Sequence, residues 1–271
     1  MNFTGQTLWI TGGSSGIGAA LAAQWAKRGA KIILSGRNET RLAKVAGSLG
    51  TDTLTLPFDV RDDTAMLAAT EQAIAWTGNV DLFVANAGIS QRSQALNTDM
   101  QVYRDIINID LTAQIAATQA LLPHMAARGS GRLVFISSIA GKVGVPMRTA
   151  YCAAKFGLIG YADALRAEMS AHGVDVHVIA PGSVATNVSR NALTSDGTRR
   201  GKSDDAIDNG IAPAEAAETI VCAIEAGQRE IIVARGMEDA MGEMRRTPDA
   251  LFDQVAALVA SGYIEKMEAE G

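Results

Sequence analysis

Seven short runs of β-branched and other apolar residues, at 7–10, 31–35, 53–58, 81–85, 132–138, 174–180 and 230–234, alternate with longer alanine-rich stretches. Most of these runs are nearly continuously apolar, the signature of strands covered on both faces. Helical patterns fall between them, at about 16–28, 39–49, 62–76, 99–128, 149–172 and 213–226. Strands separated by helices pair in parallel through right-handed crossovers. The alternation therefore predicts an α/β fold: a doubly wound, parallel seven-stranded sheet in a three-layer αβα arrangement. No linker, repeat or composition break divides the 271 residues, so one domain over 1–271 is expected. Two segments stand outside the alternation. The polar stretch 183–212 has the length of a lid or binding loop. The C-terminal extension 236–271 reads as helical and charged, with Leu251, Val255, Leu258 and Val259 forming an apolar stripe expected to pack on the domain or on a second subunit.

Composition closes several functional classes. An apolar content of 48% supports a large core and excludes a disordered chain. Against 24 Lys and Arg stand 29 Asp and Glu, a net charge of −5 with no basic stripe, which argues against a nucleic-acid partner. No apolar run reaches the roughly 20 residues needed to cross a bilayer, and Lys27, Arg28 and Lys31 interrupt the best candidate. Residues 1–6 carry no basic region ahead of the first apolar stretch, as a secretory signal would. A soluble cytoplasmic protein without a membrane partner is expected. Cys152 and Cys222 read as small buried residues. His124, His172 and His177 share no ligand-like spacing with acids or cysteines, so no metal is expected. Met237, Met241 and Met244 suggest a helix face in a core or interface.

The first strand runs straight into Thr11-Gly12-Gly13-Ser14-Ser15-Gly16-Ile17-Gly18 and then into a helix. Glycines there allow a tight turn and close backbone approach to a pyrophosphate, which rests on the helix N-terminal amides. The spacing Gly12-x-x-x-Gly16-x-Gly18 departs from G-x-G-x-x-G, but its place between first strand and first helix marks a dinucleotide site of the Rossmann kind. Gly12, Ser14, Ser15, Gly16, Ile17 and Gly18 are its candidates. The residue closing the second strand selects the dinucleotide, because an acid there binds the ribose 2′-hydroxyl of NAD and repels a 2′-phosphate. Here Gly36 stands where that acid would be, and Arg37 and Asn38 follow. A guanidinium fork suits a phosphate, so NADP(H) is expected in preference to NAD.

Of the four tyrosines only Tyr151 has a lysine four residues on, Lys155, which shares its helix face. A free phenol ionises near pH 10, and moving it toward about 7 takes roughly 4 kcal/mol of phenolate stabilisation. A fixed ammonium contributes to that, making Tyr151 a candidate general acid for a carbonyl or base for an alcohol.

Spread over residues 1–186, these motifs resemble the short-chain dehydrogenase/reductase family, in its compact single-domain branch. Thr11–Gly18 is similar to the family's TGxxxGxG loop, and Asp59-Val60 to the pair that contacts adenine. Asn86-Ala87-Gly88 resembles the end of the NNAG motif, with Ala85 in place of its first asparagine. Asn108 matches the helix asparagine of the catalytic tetrad, and Ser138, thirteen residues before Tyr151, the catalytic serine. Pro181-Gly182-Ser183-Val184-Ala185-Thr186 resembles the PGxVxT segment at the nicotinamide carboxamide, which implies cofactor contacts from Pro181, Gly182, Val184 and Thr186.

The resemblance implies a mechanism in which NADPH reduces a substrate carbonyl while Tyr151 donates the proton. Ser138 would orient the carbonyl oxygen, and Lys155 would bind the nicotinamide ribose and lower the tyrosine pKa. Asn108 would hold a water in a proton relay from Lys155. Ser137 competes locally with Ser138, since neighbouring strand residues face opposite sides; the family spacing selects Ser138.

Toward the substrate, Val143, Val145 and Met147 offer an apolar wall. The 183–212 loop mixes Arg190, Arg199, Arg200 and Lys202 with Asp196, Asp204 and Asp205, as a solvated lid or as a trap for an anionic substrate such as an acyl thioester or carboxylate. Residues 186–201 resemble the loop of the branch containing dehydrogenase/reductase member-7-like proteins, which implies lipid or steroid carbonyls. The extension 236–271 departs from tetrameric members that end soon after the last strand. A homodimer or homotetramer through 99–128 and 149–172 is still implied. The expected function is an NADP(H)-dependent oxidoreductase of a ketone, aldehyde or secondary alcohol. The alternatives are an NADP(H) sensor without turnover, a 3-oxoacyl thioester reductase, and a nucleotide-sugar epimerase or dehydratase, which shares Tyr-x-x-x-Lys but has a differently spaced glycine loop.

Overall fold

The computed structural model describes residues 3–270. Its strands are β1 (Thr7–Thr11), β2 (Lys31–Gly36), β3 (Thr53–Pro57), β4 (Leu82–Ala85), β5 (Gly131–Ile136), β6 (Val174–Pro181) and β7 (Glu230–Val233). The crossovers are α1 (Gly16–Lys27), α2 (Glu39–Leu49), α3 (Asp63–Thr77), α4 (Met100–Ile107), α5 (Ala113–Arg128), α6 (Thr149–Ser170), the short α7 (Asp205–Asp208) and α8 (Pro213–Glu225). The extension folds into α9 (Gly236–Met244), α10 (Asp249–Ala260) and α11 (Tyr263–Glu270). Every strand pairing is parallel, in the order β3-β2-β1-β4-β5-β6-β7. Winding reverses between β1 and β4, and the crevice outside the carboxyl ends of those strands is where such sheets bind ligands.

Burial on both faces explains the continuous apolar runs. Leu8 and Ile10 of β1, with Ile32 and Leu34 of β2, pack on one side beneath Leu21, Trp25, Ile220 and Ile224 of α1 and α8. Trp9, Ile33, Phe83 and Phe135 point the other way, against Leu121, Met125, Leu158 and Ala162 of α5 and α6. Trp9 meets the Phe83 ring edge-on at 5.2 Å, and its indole N–H donates to the buried Ser35 hydroxyl at 2.8 Å. A polar indole edge is therefore satisfied inside an apolar layer.

The structure departs from the sequence pattern in several places; Cys222, read as buried, is exposed, and so are Met237 and Met244. The stretch 99–128 is not one helix: a π turn over Asn108–Thr112 separates α4 from α5. Such single π turns are rare and cluster at functional sites. A further departure concerns the apolar stripe of the extension. Leu251, Val255 and Leu258 are exposed and Val259 is half-buried, so the stripe does not pack on its own domain; α10 seats Phe252 there, with the Arg166 guanidinium 4.0 Å from its ring centroid. Among the described residues no helix is long and apolar enough to cross a membrane.

Candidate active site

At the carboxyl end of β1 the glycine loop is built by internal contact. Gly12 adopts φ +67°, and a Cβ there would lie 2.8 Å from Asn86 Nδ2. A Cβ on Gly18 would lie 2.5 Å from the Gly12 carbonyl oxygen and 2.6 Å from Asn86 Nδ2. The Asn86 side chain holds this arrangement, donating to the Thr11 carbonyl at 2.8 Å. The Thr11 hydroxyl accepts from the amides of Asn86 and Ala87 at 3.0 and 3.1 Å. Asn86, expected at the cofactor, thus ties the ends of β1 and β4 together. Gly18→Ala is expected to destabilise the fold by about 1–3 kcal/mol, because backbone must shift, and to weaken dinucleotide binding; thermal melts and a binding titration check both.

The loop fits a dinucleotide. Ser15 precedes α1 in an extended conformation with no side-chain cap, and the first turn of α1 carries no acid. Its leading amides have no intrahelical partners and the dipole favours an anion. Gly16, at φ +57°, faces Thr186 across a cavity of about 290 Å³ that Ala185, Asn187, Asp208 and Pro213 also line. The glycine loop and the segment after β6 therefore form one cleft. Ser14 is half-buried beside Gly36, which has room for a side chain: a Cβ there would sit 3.7 Å from the Ser14 hydroxyl. Arg37 is 57% exposed, with Nη1 4.0 Å from Asp59. Asp59 is held more closely by Arg61, through its guanidinium at 2.7 and 3.1 Å and its amide at 3.1 Å. These bonds keep the Asp59 carboxyl below its usual range against partial burial, so two cations share one acid beside Gly36. Three other expected contacts have structural employment. Asn38 is the N-cap of α2, accepting from the Arg41 amide at 2.9 Å, and the Val60 and Val184 side chains lie in the core.

The expected catalytic groups lie on α6 and in the turn after β5. Strand β5 ends at Ile136, two residues before the predicted boundary. Ser137 is buried and donates to the Lys155 carbonyl at 3.0 Å. Ser138 is half-buried at the head of the 3-10 turn Ile139–Gly141, accepting from the Ala140 amide at 3.1 Å and donating to the Pro181 carbonyl at 3.3 Å. Tyr151 is half-buried one turn into α6, and Lys155 Nζ lies 5.6 Å from its ring centroid.

Asn108, expected beside Lys155, is exposed and lines a surface groove with Met100, Tyr103, Arg104 and Thr112. Residues two apart on a helix point roughly 200° apart, and the side chain facing Lys155 is that of Asp110. Asp110 Oδ2 lies 3.1 Å from Lys155 Nζ, with side-chain exposures of 0% and 4%. Its other oxygen accepts from the Ile89 amide at 2.8 Å, and Lys155 also donates to the Ile136 carbonyl at 3.0 Å. Burial opposes the charge on Lys155 most strongly, and Asp110 and the Tyr151 phenol together outweigh it, holding the ammonium above the ordinary lysine range. The signal was a lone acid inside the apolar string Ile107-Asn108-Ile109-Asp110-Leu111.

Four further features carry no motif. Gln91, fully buried, accepts from the Ala150 amide at the start of α6 at 2.8 Å. Beside it Arg92 donates to Asp204 of the 183–212 segment at 2.7 Å, Arg200 pairs with the same carboxylate, and Arg148 lies 3.6 Å away. Against its partial burial, these cations and the Ser189 hydroxyl hold the Asp204 carboxyl well below its usual range. The extension completes the wall: Glu238 of α9 accepts from the Ser183 amide at 2.7 Å and from its hydroxyl at 2.9 Å. Lys142, four residues after Ser138, forms a buried 2.5 Å ion pair with Glu230 of β7 and donates to the Arg245 carbonyl at 3.2 Å. Among the described residues no three His, Cys, Asp or Glu side chains form a metal-holding group.

The family pattern described as short chain dehydrogenase matches residues 6–196. A relative, dehydrogenase/reductase SDR family member 7B of Danio rerio, is 36% identical over 242 residues, covering 86% of this chain and 78% of its own. Among solved structures, a short-chain dehydrogenase from Streptomyces avermitilis superposes with a TM-score of 0.78 at 26% identity, covering 97% of this chain and 99% of its own. A short-chain dehydrogenase/reductase from Burkholderia phymatum, in complex with NAD, superposes with a TM-score of 0.81 at 20% identity, covering 92% of this chain and 98% of its own.

Proposed function

The chain belongs to the short-chain dehydrogenase/reductase family of oxidoreductases, and from that premise we propose that it is an NADP(H)-dependent carbonyl reductase or alcohol dehydrogenase with Tyr151 as its general acid and base. The observation that carries the reading is the buried Lys155 ammonium, 5.6 Å from the Tyr151 ring, at the sheet end that also bears the glycine loop. When bound, a nicotinamide dinucleotide supplies a hydride to the carbonyl carbon or takes one from the alcohol. The loop Gly12–Gly18, the amides opening α1, Arg37 and Pro181–Thr186 would hold it. The chain's own residues then handle the oxygen. The Ser138 hydroxyl, at the mouth of the β5 turn, exchanges its long bond to Pro181 for the substrate oxygen and orients it. Tyr151 gives its proton to that oxygen in reduction and takes it back in oxidation. Lys155 stabilises the phenolate left behind by charge.

Arg37 and Arg61 sharing one carboxylate, with no acid at Gly36, support the 2′-phosphorylated dinucleotide. Arg37→Asp is expected to weaken NADPH binding about 100-fold, the loss of a charge-assisted pair plus repulsion, and NADH far less. Fluorescence titration of both checks this, and equal effects would remove the 2′-phosphate assignment. Three arginines around the single Asp204, next to the start of α6, support a substrate with an acidic group. A panel of ketones and aldehydes, each with and without a carboxylate and offered with NADPH and NADH, tests activity, dinucleotide choice and charge preference together. No turnover of any member would favour the nucleotide sensor.

A further inference from the structure

Lys155 is a buried cation facing a buried carboxyl, which burial pushes up and the lysine charge draws back down, and the pair is fixed from both sides. A Cβ on Gly88 would lie 2.8 Å from Asp110 Oδ2, so the loop after β4 closes against the carboxylate. Its second oxygen is pinned by the Ile89 amide, and Lys155 is pinned by the Ile136 carbonyl. Asp110, four residues after the buried Ile106 and eight after the buried Val102, continues their inward face, while Asn108 is exposed. An ammonium alone would draw the proton off a neighbouring phenol. An ammonium already balanced at 3.1 Å does so much less, because at the phenol the two charges largely cancel.

We propose that Asp110 is a positioning residue for the reaction, balancing the Lys155 ammonium so that the Tyr151 phenol keeps its proton to a higher pH than the lysine alone would allow. This sets the site toward carbonyl reduction near neutral pH, since reduction needs the protonated phenol and oxidation the phenolate. The inference rests on Tyr151 as the proton-transfer group. The charged and titratable groups around the phenol are Asp110 on the π turn, Lys155 on α6 and Tyr103 on α4, whose hydroxyl is bonded to Thr149 at 2.7 Å; Arg148, just before α6, pairs with Asp204. The nearby segments keep their own charges occupied: Lys142 with Glu230, Glu238 with Ser183, and Asp204 with its arginines.

Asp110→Asn separates charge from shape, since the amide has the same size and still accepts from Ile89. Titrating phenolate absorbance in the parent and in D110N, each against its own Tyr151→Phe counterpart, isolates Tyr151 from Tyr103, Tyr161 and Tyr263. The midpoint is expected to fall by about one pH unit in D110N, a tenfold change in the phenolate-to-phenol ratio. A midpoint that stays in place or rises overturns the inference. Asp110→Ser, also neutral and smaller, gives a second reading of the same sign if D110N does not fold. The titration needs no turnover, so its failure is distinct from failure of the general-acid assignment, which Tyr151→Phe turnover tests alone.

Discussion

Tyr151→Phe is expected to lower turnover about a thousandfold while NADPH binds as it does to the parent. The change removes one oxygen from a half-buried ring and leaves the ring's packing beside Val102, Ile106 and Ala154 in place. The loss is therefore chemical rather than structural. A positioned acid or base typically contributes 10²–10⁴-fold, and the neighbouring phenol, Tyr103, is bonded to the Thr149 hydroxyl at 2.7 Å. The groups assigned to the dinucleotide, on the glycine loop, Arg37 and the segment after β6, are untouched. Steady-state rates with a substrate found in the panel, together with an NADPH titration, check both halves. Turnover within tenfold of the parent would mean that the proton is delivered by another group.

The second large effect is expected away from the reacting atoms. Glu230→Gln leaves the Lys142 ammonium, whose side chain is 5% exposed, without its counter-charge in a dry setting. Breaking one side of such a pair costs about 3–5 kcal/mol. For a domain of this size each kcal/mol moves the midpoint by roughly 2–4 °C, so a fall of roughly 10 °C is expected in a thermal melt. Removing both charges, in Lys142→Met with Glu230→Leu, is expected to restore much of the loss, because an apolar pair pays no desolvation. Dinucleotide affinity should fall with Glu230→Gln as well. Lys142 follows the Ser138 turn and also donates to the Arg245 carbonyl at 3.2 Å, so the pair joins β5, β7 and the extension. A melt within 2 °C of the parent would mean that Lys142 finds another acceptor.

Much of the architecture was legible along the chain because it is written in local patterns. Seven apolar runs are seven strands in the structure, with ends differing by at most two residues, since a strand buried on both faces must be apolar throughout. The glycine loop was legible because Gly12 and Gly18 leave no room for a Cβ. Tyr151 and Lys155 were legible because a four-residue helical spacing needs no tertiary knowledge. Asn108 was chosen by its motif and not by its place on the helix: Asp110 continues the inward face of Val102 and Ile106 at four-residue spacing, and Asn108, two residues earlier, is exposed. Asn86 and Asn38 carried the right motifs, but their side chains are spent on backbone amides and carbonyls of their own loops.

By itself, then, the sequence determined the sheet, its parallel winding, the glycine loop and the phenol–lysine pair, because each depends on residues within a few positions of one another. The tertiary structure alone decided what surrounds that pair. Asp110 meets Lys155 across 45 residues, Glu238 meets Ser183 across 55 and Lys142 meets Glu230 across 88. Charges buried out of water require partners at contact distance, and only the folded chain determines which distant residues supply them. The extension, which as sequence reads as helical and charged, is for that reason tied to the segment after β6 through Glu238.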